Sequence, residues 1–173
     1  MANKALHLCV LAAGLTLITS AGAAAQTIPM HATLSGGEET PAPGLNTGAF
    51  GTADVDVDLD DEEVVVTLQV FNLPTGSTAG QIHAGAKGTG GPVILDFSFP
   101  QGRTGDLALT FRLTAGALRA RPEIGITTME DALQTIAAGN AYVNVHTSQY
   151  PAGEIRGQLT RRDVRAQQPP PQQ

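Results

Sequence analysis

Apolar and polar residues alternate with a period of two along much of the chain. Ala53, Val55, Val57 and Leu59 are interleaved with Thr52, Asp54, Asp56 and Asp58, the pattern of a strand with one buried and one wet face. Asp60 and Asp61 supply a turn and residues 63–73 return as a second strand, which predicts a hairpin. A strand opens at residues 31–34, and residues 35–48 form a long polar connection broken by Pro and Gly. Short strands over 80–84 and 93–99 are joined by the glycine-rich AGAKGTGGP, and residues 106–113 alternate again. The single helical signal lies at 127–138. Thr127 and Thr128 precede Glu130 and Asp131 with capping-box chemistry, Met129, Leu133 and Ile136 follow at helical spacing, and Gly139-Asn140 ends it. Residues 141–146 and 153–159 then close the domain as a hairpin across 147–152. Seven or eight short strands with turn signals between them predict an all-β fold, an antiparallel β-sandwich or Greek-key barrel with one short helix in a crossover.

The two ends carry different signals. Lys4 followed by an apolar run over 5–18, too short to span a membrane, and Ala23-Ala24-Ala25 before Gln26 predict a signal peptide over residues 1–25. The expected localisation is therefore secreted or periplasmic. Cys9, the only cysteine, leaves with that segment, so a mature domain of residues 26–160 has to be held by its core, without a disulfide. Roughly 150 residues suffice for one such core. The formal charge of −6 argues against nucleic-acid and anionic-membrane partners, and no second apolar run approaches spanning length, so no membrane span is expected in the mature form. Residues 161–173, RRDVRAQQPPPQQ, have almost nothing apolar to bury and are expected to be a disordered tail.

Candidate chemistry centres on two histidine-bearing strands. Residues i and i+2 of a strand share a face, so Gln81 points with His83, and Tyr142 and Asn144 point with His146. In the last strand Glu154, Arg156 and Gln158 share a face. Side by side, these strands would converge Gln81, His83, Asn144, His146, Glu154 and Arg156 on one patch. Two imidazoles with an amide or carboxylate suit copper or zinc, so His83, His146 and Gln81 are the candidate metal ligands. The competing reading is a structural polar network of Asn144, Glu154 and Arg156, with Glu154 paired to Arg156 or a neighbour and each histidine bonded to backbone.

Other features carry less. Asp54, Asp56 and Asp58 lack the glycine turn of a calcium loop and read as a solvated strand face. The chain offers no G-x-S-x-G elbow, and its glycine-rich loop, despite Lys87, lacks a G-K-[ST] ending, so no catalytic residues are assigned. His31 reads as a strand-edge residue, and residues 118–121 read as a basic, solvated surface.

LSGGEETPAP, VFNLPTG, QIHAGAKGTGGPV and YVNVHTSQYPAGEIRGQL occur in this order, and over residues 29–159 the chain resembles the CHRD (chordin) domain family. That family typically has H-I-H where this chain has Gln81-Ile82-His83. The resemblance implies an extracellular or periplasmic β-rich module. A second resemblance, to the copper/zinc superoxide dismutases, lies in the order of a histidine strand, a glycine-rich loop and a late V-H strand. It implies an immunoglobulin-like or dismutase-like sandwich, with Gln81, His83 and His146 where copper ligands lie. The bridging and zinc-binding histidines and the disulfide cysteines of those enzymes are missing. The expectation is a non-enzymatic module with a binding or structural role, its partner an unidentified protein or envelope component and with no cofactor assigned. The alternative is a copper- or zinc-binding protein using His83 and His146, and the remote one is a dismutase-like oxidoreductase.

Overall fold

The computed structural model describes residues 27–162, so the expected signal peptide, and the expected tail from residue 163 onward, lie outside the described residues. Among the described residues, nine strands form one antiparallel sheet: β1 (Thr27–Ser35), β2 (Phe50–Asp58), β3 (Glu63–Leu73), β4 (Ser77–Ala84), β5 (Val93–Asp96), β6 (Gly105–Leu113), β7 (Ala141–Thr147), β8 (Ile155–Gln158) and β9 (Thr160–Arg161). Their order is β5-β4-β7-β8-β1-β2-β3-β6, with β9 also paired to β1. The sheet curls into a nearly closed barrel, in keeping with the all-β expectation.

The period-two pattern sets what lies inside. Ala53, Val55 and Val57 of β2 face Val64, Val66 and Leu68 of β3 across the predicted hairpin, and all six are fully buried. Ile82, Val143, Val145 and Ile155 continue the inner wall through β4, β7 and β8. The aspartates fall on the outer face, where Asp54 accepts from His31 Nδ1 at 3.0 Å and from Arg162 at 2.9 Å. The helix α1 (Met129–Ala137) adds Met129, Ala132, Leu133 and Ile136 to the core. Its start is held by a reciprocal capping box between Thr128 and Asp131. Backbone and hydroxyl donors of Thr127 and Thr128 hold the Asp131 carboxyl down at about 2.

β5 and β6 are the two ends of the sheet and do not pair with each other. Phe111 of β6 reaches across this seam to Phe97 and Phe99, with ring centres 5.0 and 5.8 Å apart.

Several boundaries differ from the pattern-based expectation. β4 begins earlier, at Ser77, because Ser77 and Ala79 pair with β7 across a register shift. β5 ends at Asp96, although Phe97 N–H still donates to Gly80 O at 3.0 Å, and Phe97 and Phe99 pack at the seam. β8 begins at Ile155, since Gly153 has φ 130° and interrupts the strand before it. His31 is not on a sheet edge: β1 lies inside the sheet, bonded to β2, β8 and β9. Arg161 and Arg162, expected in the tail, belong to the sheet region, Arg161 in β9 and Arg162 bonded to Pro29 and Asp54. Residues 118–121 run along the free edge of β5, where Leu118 bridges Leu95, Arg119 bonds Asp96 and Arg121 Nε donates to Val93 O. They cover an edge as well as meeting solvent.

Leu68 is fully buried at the middle of the β2–β3–β6 wall. Leu68→Ala is expected to cost about 2–5 kcal/mol in urea denaturation, with an unchanged slope.

Candidate functional site

β7 has no wet face: all seven of its residues are buried. Its inner row, Val143 and Val145, belongs to the core. Its outer row, Tyr142, Asn144 and His146, lies beneath a roof of three loops, residues 36–48, 85–92 and 148–154. The ladder aligns this row with its neighbours: His83 lies opposite Tyr142, Gln81 opposite Asn144, and Arg156 opposite Asn144 on the other side. Four of the six side chains expected in the patch, His83, Asn144, His146 and Arg156, are therefore buried on one surface with Gln81 half-buried between them.

His83 and His146 come from rows on either side of the Gln81–Asn144 pair and lean toward each other over it. Their ring centres are 5.9 Å apart with 24° between planes. Each ring is tied to the roof in the same way. His83 Nδ1–H donates to Gly91 O at 2.9 Å, and His146 Nδ1–H donates to Pro151 O at 3.1 Å. A carbonyl accepts only, so in each neutral ring the proton is on Nδ1 and the lone pair on Nε2. Both Nε2 atoms are buried without a partner, as is Asn144 Oδ1. Exposures of 9% and 7% make the imidazolium form costly, and desolvation lowers both pKa values below the ordinary histidine range. The Gly91 bond partly offsets this for His83, and for His146 the Pro151 bond and the Asp96 carboxylate do so.

Glu154 is the exception to the expected patch. It precedes β8, is 0% exposed, and takes hydroxyl protons from Thr47 and Thr147, both at 2.6 Å. It forms no pair with Arg156. Arg156 instead donates to Thr40 Oγ1 at 3.1 Å and Thr89 O at 2.6 Å, and its guanidinium lies 3.4 Å above the centre of the Tyr142 ring. Tyr142 in turn stacks on His83 at 4.9 Å. Glu154 pins the 36–48 loop to the 148–154 loop, and Arg156 pins the 36–48 loop to the 85–92 loop.

Pattern reading missed Asp96 and Glu39, and it put Tyr142 on this face without giving it a role. Tyr142 links arginine to imidazole, and its hydroxyl both donates to Gly91 O and accepts from Gly91 N–H. Asp96, opposite Gln81 on β5, brings a carboxylate beside His146 while bonded to Arg119 at 2.9 Å. Glu39, 8% exposed, enters from the 36–48 connection, where the long polar stretch gave no strand to place it on. Burial pushes its carboxyl up to about 7, against the opposing pull of Arg156. Its Oε1 and the Asn144 amide close round Gly153, whose position leaves no room for a Cβ: such an atom would stand 2.8 Å from Glu39 Oε1 and closer still to Asn144 Nδ2. Beyond Glu39 the 36–48 and 148–154 loops part at a cleft of about 380 Å³ lined by Pro41, Leu45, Tyr150 and Pro151.

Two consequences are measurable. A carboxyl whose folded pKa is raised from 4.5 to about 7 favours the fold below pH 4.5 and loses that contribution as pH rises through 7. Glu39→Gln is therefore expected to gain stability relative to the parent protein between pH 4.5 and pH 8, seen by denaturant melts across that range. An equal difference at both pH values would contradict the assignment. Gly153→Ala, which strains a backbone at φ 130° and drives a methyl into Asn144 and Glu39, is expected to lower thermal stability by several degrees.

Among the described residues no three His, Cys, Asp or Glu side chains cluster closely enough to hold a metal by themselves. The available donors are two imidazoles and the neighbouring amides. No curated protein and no solved structure matches the chain. Residues 30–159 match the family model of the CHRD domain. That match covers most of the chain, together with a barrel-like antiparallel sheet that carries the QIHAGAKGTGGPV and YVNVHTSQYPAGEIRGQL segments on adjacent strands, β4 and β7. The chain belongs to the CHRD domain family.

Proposed function

We propose that this chain is an exported, non-catalytic binding module of the periplasm or cell envelope whose ligand is a transition-metal ion held between His83 and His146. The observation that carries this reading is the matched pair of buried, unpartnered Nε2 atoms, each presented by a ring whose Nδ1–H is fixed on a backbone carbonyl. Metal-binding histidines are oriented by such an outer hydrogen bond, which leaves the opposite nitrogen as the ligand. An ion about 2.0–2.1 Å from Nε2 lies about 3.2 Å from the ring centre, so rings sharing one ion stand about 5–6.4 Å apart. The 5.9 Å separation falls within that interval.

The donors also bear on which ion is held. Imidazole suits both copper and zinc. His83, His146, Asn144 and Gln81 are all neutral donors, and the Arg156 guanidinium acts on His83. The Asp96 carboxylate beside His146 is already bonded to Arg119 and offsets little of a bound ion's charge, and burying uncompensated charge is costly, which favours copper(I) over zinc(II). Asn144 Oδ1, unpartnered and lying between the two histidine rows, is the third donor in this reading, with Gln81 beside it.

Calorimetric titration of the mature, chelator-stripped protein, anaerobically with copper(I) and separately with zinc(II), tests this directly. One ion per chain is expected, copper(I) binding more tightly. The binding enthalpy should be nearly independent of the buffer's ionisation enthalpy at pH 7, because both ligands are already deprotonated. His83→Ala/His146→Ala should lose more than the roughly 10–100-fold that removal of an outer partner costs. Circular dichroism checks that this variant remains folded. Binding that is absent, or indifferent to the double substitution in a folded protein, would leave the layer as a structural network only.

A further inference from the structure

We infer that β6 is a self-complementary edge through which two copies of this chain pair into one continuous sheet. β6 bonds to β3 along one flank, and among the described residues no strand pairs with the other. That flank is nine residues long and contains no proline or lysine, the usual guards of an edge. Leu109 and Phe111 face inward yet are only partly buried, and the C-terminal half of the strand opens on a cleft of about 440 Å³ at the seam, between Phe97 and Arg112. This strand therefore has free backbone groups and unspent apolar surface.

Its sequence, Gly-Asp-Leu-Ala-Leu-Thr-Phe-Arg-Leu, specifies the partner. An antiparallel pair related by a two-fold axis keeps inner residues opposite inner residues only when the axis passes through a residue. With the axis at Leu109, Asp106 lies opposite Arg112 of the second copy and Arg112 opposite its Asp106, both on the outer face. Leu107 then meets Phe111 on the inner face, and Ala108 meets Thr110 outside. Moving the axis to Ala108 or Thr110 takes Asp106 and Arg112 out of opposition. Charge thus selects one register, and opposite charges directly across a ladder are favourable where like charges are not. Arg112 pairs with Glu63 through Nη1, and with its side chain 69% exposed its other guanidinium N–H groups can meet a second carboxylate. Asp106 uses one carboxylate oxygen on Asn72 N–H and keeps the other.

Sedimentation of the mature chain from micromolar to millimolar concentration is expected to pass from monomer to dimer. Arg112→Asp, which opposes two aspartates at both ends of the ladder, should weaken association at least tenfold. Adding Asp106→Arg to it should restore association, thermal melts showing each variant folded. Asp106→Lys, which keeps the Glu63–Arg112 pair, should dissociate the dimer in the same way and serves if Arg112→Asp does not fold. A parent chain that stays monomeric, a folded charge variant that associates like the parent, or a folded double reversal without recovery would each overturn the inference.

Discussion

β7 runs between two buried surfaces, an apolar one inside the barrel and a polar one beneath three loops. Loops cannot offer a sheet-like ladder to the strand below, so their backbone carbonyls need donors from the side chains they cover. His83 and His146 supply them, each donating Nδ1–H to a roof carbonyl. An imidazole has one proton to give in its neutral form, and giving it here leaves Nε2 bare. The arrangement that satisfies the roof is thus the same one that creates two adjacent lone pairs in a buried layer.

The other charged groups of the layer keep this arrangement in place. Glu154 and Arg156, nearly adjacent in sequence, act on different loops: Glu154 binds two hydroxyls, and Arg156 binds a hydroxyl, a carbonyl and the face of Tyr142. Buried groups of this kind are costly unless bonded, and these are bonded to the segments that cover the histidines. Glu39 is the least settled member, its carboxyl pushed to about 7 with one oxygen unpartnered beside Asn144. Roof, strands and histidines therefore respond to pH together. Acid charges histidines that the fold keeps neutral, and base charges the glutamate.

Much of this was legible along the chain. Alternation from Ala53 to Leu59, with the acidic turn and the return over residues 63–73, placed the first hairpin and the inner face of β2 correctly, because a strand with one wet side is a period-two signal. The same rule put Asn144 on the face of His146, and Gln81 on that of His83. It failed at Glu154, where the φ of 130° at Gly153 ends the regular geometry on which face assignment depends. It could not find Glu39, since residues 36–48 have no period and only the roofed structure shows where that carboxyl goes. The double burial of β7 was also hidden: its outer row is polar, and alternation with a polar row reads as a wet face whether or not loops later cover it. A basic cluster at residues 118–121 read as surface for a similar reason, although its backbone lies along the edge of β5.

Everything in the layer depends on both imidazoles being neutral, protonated on Nδ1, with Nε2 free to ligate. Long-range ¹H–¹⁵N NMR of the imidazole rings in the metal-free protein measures this most directly. His83 and His146 should each show a protonated Nδ1 and an unprotonated Nε2 at neutral pH and for some way below pH 6.5, and one equivalent of copper(I) should shift both Nε2 resonances together. Rings protonated on Nε2, or charging at the ordinary histidine pH, would contradict the account.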